Sequence, residues 1–260
     1  MPPCRRPSPG EPARASRQPP PGEQPAPRLE TGRLAQGGIV RHAPNSDIAG
    51  IVLAAGAGSR LGVPKGLLRT SRGQPVVARL CDQLTAAGLS EIVVVTGAAA
   101  EAVAAGVPAG ARAAHAQDWQ DGLSASLRAG LRAAAEASAG ERIRAVVILL
   151  ADVPGITAAA IEAVIAAARE QSIETSLVRA MFGERPGHPV VIGSQHWQQV
   201  IDTATGDSGA KAVFASGTVR EVDCRHLCAG IDIDTPGQLQ AAGLELPELL
   251  PDACAREESR

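Results

Sequence analysis

Apolar residues along this chain gather into short unbroken runs instead of alternating with polar ones. Ile48 to Leu53, Glu91 to Thr96 and Ala145 to Leu150 are the clearest. Runs of this length without polar alternation predict strands covered on both faces. Between them the spacing is helical. Residues 74–87 stop at Gly88, a glycine suited to closing a helix. Residues 122–137 set Leu123, Leu127 and Leu131 on one face, with Ser124 near the start, and 157–170 open on Thr157, a capping type. Weaker signals predict a short alanine-rich helix at 99–105, strands at 112–115, 189–192, 218–223 and 231–233, and helices near 195–203, 208–215 and 236–242. Apolar strands parted one by one by helices predict an α/β fold with a mostly parallel sheet between helical layers. In such sheets ligands sit beyond the carboxyl ends of the strands, so the loops after Leu53 and Leu150 are where chemistry is expected.

Composition narrows the picture. The 260 residues are 45% hydrophobic, enough for one sizeable domain, which the pattern places at 47–244. Residues 1–46 differ: they hold seven arginines, three glutamates and eleven of the 20 prolines. With a total charge of -2, this segment is +4 and the remainder -6. So proline-rich a stretch, poor in large apolar side chains, cannot offset its ordering entropy and is expected to be a disordered tail. Residues 245–260 are polar and expected to fray. A nearly neutral chain has no general pull toward nucleic acid, and 2% aromatics with no tyrosine offers no stacking platform for bases. No apolar run approaches the roughly 18 residues that a membrane span needs. Five scattered cysteines point to a reducing, cytoplasmic setting. The Cys224-Arg-His-Leu-Cys228 pair reads as structural thiols, because a zinc site needs a further ligand pair.

The candidate chemistry begins where the first strand ends. Leu53, Ala54 and Ala55 lead into Gly56, Gly58, Ser59, Arg60 and, after a further glycine and a proline, Lys65. Glycines let phosphate oxygens approach main-chain N–H groups, and Arg60 and Lys65 supply charge. The G-x-G-x-x-x-G spacing departs from a dinucleotide fingerprint, and no acid closes the next strand, which ends Thr96-Gly97. Lys65 follows Pro64 instead of glycine, so a Walker loop is excluded too. What survives is a loop that wraps a triphosphate. Asp152, directly after the third apolar run, suits Mg²⁺, which takes one or two carboxylates and completes its shell with phosphate and water. Asp232 and Asp234 again precede a helix; Asp234 is expected to cap it ahead of Pro236, leaving Asp232 for the metal.

Seven segments together resemble the molybdenum cofactor nucleotidyltransferases, and among them the CTP-dependent molybdopterin cytidylyltransferases. They are Leu53 to Lys65, Val95-Thr-Gly97, Gly122 to Arg128, Asp152-Val-Pro154, Gly187-His-Pro-Val190, Gly206 to Ala210 and Asp232 to Pro236. The resemblance implies a Rossmann-like three-layer αβα nucleotidyltransferase domain that moves CMP from CTP to a molybdopterin-type cofactor. It implies Mg²⁺ on Asp152 and Asp232, with Arg60, Lys65 and Asp152 catalytic. Triphosphate contacts fall to residues 54–60 and Lys65. Thr96, Gly97, Ser124 and Ser126 would form the base pocket, and Gly187, His188, Asp207 and Gly209 would face the acceptor. A molybdoenzyme is the implied recipient. Guanylyl-transferring relatives usually carry two glycines where this chain has Ala55-Gly56, which points to CTP over GTP. A nucleotidyltransferase for another phosphorylated small molecule and a non-catalytic cofactor carrier are the alternatives.

Overall fold

Strands β1 (Ile48–Ala54), β2 (Arg69–Thr70), β3 (Glu91–Thr96), β4 (Arg112–His115) and β5 (Ala145–Leu150) alternate with helices α1 (Val76–Ala86), α2 (Ala100–Ala104) and α3 (Leu123–Glu136). The chain continues through α4 (Ala158–Arg169), β6 (Leu177–Phe182), β7 (Arg185–Gly193), α5 (Trp197–Thr203) and α6 (Lys211–Ser216). It ends with β8 (Val219–Asp223), α7 (Pro236–Ala241) and β9 (Leu244–Glu245). The structure, a computed structural model, describes residues 45–136 and 143–247.

Seven strands form one sheet in the order β4-β3-β1-β5-β7-β6-β8, with β2 and β9 paired separately. Four of its six pairings are parallel, and the two made by β7 are antiparallel. Every residue of β1 is buried, as its unbroken apolar pattern requires. Ile48 and Val52 face one layer, with Leu80 and Leu84 of α1 and Ile161 and Val164 of α4. Ile51 and Leu53 face the other, with Leu127 and Leu131 of α3. Each such side chain contributes roughly 1.5–3 kcal/mol on burial, so the two layers pin β1 between them. The expected three-layer αβα architecture is the one observed.

The differences have local causes. Strand β6 went unread because Arg179 interrupts it; the arginine sits mid-strand, partly buried, and pairs with Glu221 on β8. Strand β7 extends the expected 189–192 back to Arg185, since a hairpin needs no buried pattern at its tip. Residues 231–233 are not a strand: their tie to the fold is Ile233 N–H donating to Asp152 O at 2.7 Å. Of the expected N-terminal tail, residues 1–44 lie outside the described residues, while Asn45 belongs to the domain and donates through Nδ2 to Ala87 O at 2.8 Å. Of the expected C-terminal tail, 248–260 likewise lie outside, and Glu245 pairs with Arg69. No described helix is long and apolar enough to cross a membrane. Burial pushes the Cys81 thiol up to about 12 and that of Cys224 up to about 11, so both behave as packing groups. Cys228 N–H donates to Cys224 O at 3.1 Å, closing a turn.

Candidate nucleotide-binding site

Strands β1 and β5 lie side by side, and their carboxyl ends open into a cleft of about 470 Å³. It is lined by Leu53 to Arg60, Lys65, Trp119, Ser126, Asp152, Asp207 and Asp234, among others. The volume falls within the range of small-molecule pockets.

The loop after β1 turns sharply at Gly58, whose carbonyl accepts N–H groups from Leu61 and Gly62, both at 2.9 Å. Gly58 has φ +67, and a Cβ there would stand 1.8 Å from Val63 O, so glycine is required on both counts. The amides of Gly56, Ala57, Gly58 and Ser59 donate to no other described residue. Gly56, Ala57 and Ser59 are exposed. A row of such amides on a turn is an anion-binding concavity.

Lys65 begins a 3-10 turn immediately after Pro64, and its side chain is only 17% exposed. Its Nζ donates to Asp234 Oδ1 at 2.5 Å and to Asp152 Oδ2 at 3.4 Å. That hydrogen bond is the chief reason the Asp234 carboxyl is held below the ordinary carboxylate range. Arg60 reaches Asp234 Oδ2 at 3.3 Å but is 78% exposed, so the pair adds little to stability. Ile233, 2% exposed, is anchored in the core between Asp232 and Asp234, which both face away from it. Asp234 lines the cleft and Asp232 does not. The expected helix cap is also corrected: Thr235 accepts from Gln238 N–H and caps α7, and Gln238 Oε1 accepts from Asp234 N–H. Both Asp234 and Thr235 are capping types ahead of Pro236, and the residue directly before the proline took the position.

Two features of the acids fit a divalent cation. Asp152 Oδ1 is buried with no hydrogen-bond partner, and an orphaned carboxylate oxygen calls for one. The Asp232 carboxyl, though 52% exposed, is raised above its ordinary range, first by partial desolvation and next by the negative charge of Asp152. A hard cation between such groups removes both penalties.

The remaining expected residues divide. Ser126 lines the cleft at 5% exposure. Thr96 is buried at the end of β3, paired with Ala54. Gly97 lies behind the loop: a Cβ there would come within 2.6 Å of Ala55 O and 2.7 Å of Trp119 Cβ. Ser124 is fully buried, and its Oγ accepts from Gly209 N–H at 3.1 Å. Asp207 Oδ1 accepts from Leu123 N–H at 3.2 Å, setting negative charge at the first turn of α3. Gly187 and His188 stand on β7 outside the cleft lining. Burial pushes the half-buried His188 imidazole down to about 4 against the opposing pull of Asp232, so it is neutral at neutral pH. Trp119 and Asp234 are among the cleft residues that sequence reasoning did not place there. A tryptophan just ahead of Gly122 in a chain with two was the available signal for Trp119.

A layered α/β domain with an amide-lined turn after one strand and a carboxylate just beyond its parallel neighbour defines a nucleotide-binding protein. Residues 50–222 match the MobA-like NTP transferase domain, and the chain belongs to that family of nucleotidyltransferases. It is similar to nicotine blue oxidoreductase of Paenarthrobacter nicotinovorans, 31% identical over 199 residues, covering 74% of this chain and 94% of that protein. Among solved structures, Rv0371c from Mycobacterium tuberculosis superposes with a TM-score of 0.62 at 28% identity, covering 76% of this chain and 98% of that one. The same protein in complex with manganese gives 0.59 at 26% identity, covering 75% and 97%. Asp232 and Asp234 lie beyond the matched stretch, so the presence of Asp234 in the cleft rests on geometry alone.

Proposed function

We propose that the chain transfers CMP from CTP to the terminal phosphate of a molybdopterin-type cofactor and releases pyrophosphate. One observation carries this reading: loop 53–60, Lys65 and Asp152 come from separate places in the sequence to one cleft, where Asp152 keeps a buried oxygen without a partner. Amides of residues 56–59 take the triphosphate, and Lys65 and Arg60 neutralise the charge that grows on pyrophosphate as it leaves. Ser126 and Trp119 bound the base, with Thr96, Gly97 and Ser124 supporting them from behind. Asp152 would hold Mg²⁺ together with Asp232 or Asp234, in keeping with manganese in the Rv0371c complex. When bound, the ion would supply positive charge to the phosphoryl group under attack. An acceptor phosphate oxygen forms a bond to the α-phosphorus as the bond to the β-phosphate's bridging oxygen breaks. No base is needed, because a phosphate monoester with a second pKa of about 6 is already ionised. The neutral His188 fits a positioning role on the acceptor side with Gly187, Asp207 and Gly209. Ala55 supports CTP over GTP, and the unpaired thiols support a cytoplasmic setting with transient delivery to a molybdoenzyme.

The test supplies purified protein with magnesium, molybdopterin cofactor and labelled CTP or GTP. Pyrophosphate release with CTP alone is expected; release with GTP alone reassigns the nucleotide, and binding of both substrates without release makes the chain a carrier. A second reading follows from the 31% identical relative, whose name is that of an oxidoreductase. An amide-lined loop can hold a dinucleotide's pyrophosphate as well. Oxidation of NADH or NADPH with a dye acceptor, absent any pyrophosphate release, would select it.

Loop geometry gives a separate expectation. Gly58→Ala sets a Cβ against Val63 O in a left-handed conformation that costs roughly 1–2 kcal/mol before the clash. CTP affinity measured by calorimetry is expected to fall at least about tenfold, the equivalent of 1.4 kcal/mol. Gly56→Ala, whose added Cβ meets nothing within 4 Å, leaves stability unchanged. Undiminished affinity in Gly58→Ala removes the loop from the nucleotide site.

A further inference from the structure

The hairpin between β6 and β7 carries a cation to which the nucleotide reading gives no task. Arg185 Nη1 stands 3.8 Å from Asp232 Oδ2, its Nη2 donates to Gly230 O, and its guanidinium lies 5.6 Å over the Phe182 ring. The ring is itself wedged. A Cβ at Gly230, which has φ +55, would meet Phe182 Cζ at 2.2 Å, and one at Gly187 would meet Cε2 at 2.9 Å. Arg185 is thus held from below by an aromatic face and from one side by a carbonyl. The 3.8 Å approach to Asp232 exceeds hydrogen-bond distance, so most of its five N–H donors are unused among the described residues. Its side chain is 49% exposed.

Position gives those donors a purpose. The acids Asp232 and Asp234 stand two residues apart, roughly 6–7 Å along the chain. Lys65 and Arg60 hold the Asp234 end, beside the glycine loop, and Arg185 holds the Asp232 end. Displacement at phosphorus sets nucleophile and leaving group roughly in line, on opposite sides of the reacting atom. With the triphosphate tail at the glycine loop, the far end belongs to the nucleophile. An anionic nucleophile needs a fixed positive charge there, and the neutral His188 of the same hairpin supplies none.

We infer that Arg185 binds the phosphate monoester of the nucleotidyl acceptor through its free guanidinium edge and positions the attacking oxygen. This rests on the nucleotidyl-transfer reading above. A planar fork that pairs two phosphate oxygens at once also makes arginine, rather than lysine, the fitting residue.

The experiment loads the full chain with magnesium and a non-hydrolysable α,β-methylene analogue of CTP, then titrates inorganic phosphate and follows it by NMR. In Arg185→Gln, phosphate affinity is expected to drop about tenfold or more, the worth of a charge-assisted pair, while analogue affinity stays unchanged. Arg185→Lys keeps the charge without the fork and is expected to fall between. Equal phosphate affinity in wild type and Arg185→Gln overturns the assignment while leaving the transfer reading intact. Parallel loss of analogue binding in Arg185→Gln also overturns it, by putting the residue on the triphosphate side. Failure of wild type to bind the analogue at all overturns the transfer reading and this inference with it.

Discussion

Asp152→Asn is expected to keep its fold and lose nearly all pyrophosphate release. The carboxylate follows a buried strand, so its position is set by β5 and by the Ile233 N–H bond to its own carbonyl, neither of which the substitution touches. Oδ2 makes only the 3.4 Å contact to Lys65, and Oδ1 is buried without a partner. Removing the negative charge therefore costs the fold one long ion pair and relieves the repulsion that raises Asp232. The melting temperature should stay within about 4 °C of wild type, since the terms amount to about 1 kcal/mol each way. Turnover is a different matter. Lost cation binding and lost charge stabilisation are each worth several kcal/mol in the transition state, so the rate should fall about a hundredfold or more. A variant retaining more than about a tenth of the wild-type rate would sink the assignment of Asp152. Calorimetric titration with Mg²⁺ or Mn²⁺ gives an independent readout, with weaker binding expected.

The half of the fold that the sequence made legible is the half built from βα repeats. There each strand is buried on both faces and each helix shows one apolar side, so pattern alone separates them. The half beyond α4 obeys other rules. Strands β6 and β7 form a hairpin in which β7 runs antiparallel to both its neighbours, with Arg179, Arg185 and Pro186 along it, and only the 189–192 part of it reads as strand from periodicity. Residues 231–234 failed in the opposite direction: Ile231 and Ile233 alternate with acids as strand residues do, yet Ile231 is 51% exposed and the segment is held by a single backbone bond.

At the site the pattern is similar. Loop 53–60, Lys65 and Asp152 were readable because glycine and charge at strand ends have few other uses, and the cleft gathers all of them. Asp234 was misread because a capping signal explains it equally well from sequence, and only the direction of its side chain toward Lys65 decides. Arg185 was invisible: its meaning comes from Phe182, Gly230 and Asp232, which stand up to 47 residues from it and meet it only in the folded hairpin.

Lys65→Met should damage the protein in two separable ways. Lys65 is the least exposed of the site's cations and bridges two of its three acids. Without it, Asp152 and Asp234 share the cleft with only Arg60 paired to Asp234, and methionine fills the same space without charge. The sign of the pH effect follows from Asp234. Its carboxyl is held low chiefly by Lys65, so the pair adds stability above the ordinary carboxylate value of 3.8 and loses it as pH falls through the folded value. The melting temperature of Lys65→Met is therefore expected to lie about 2–4 °C below wild type near pH 7, for roughly 1 kcal/mol after discounting partial exposure. The gap should close only as pH falls below 3.8, where Asp234 protonates, and should narrow at neutral pH when millimolar Mg²⁺ is added, because a cation binding only the folded acids stabilises them. Pyrophosphate release should fall about a hundredfold or more, since Mg²⁺ restores charge at the acids but not at the leaving group. A melting deficit that persists unchanged at low pH would mean that Lys65 serves packing, and the electrostatic account of the cleft would fail with it.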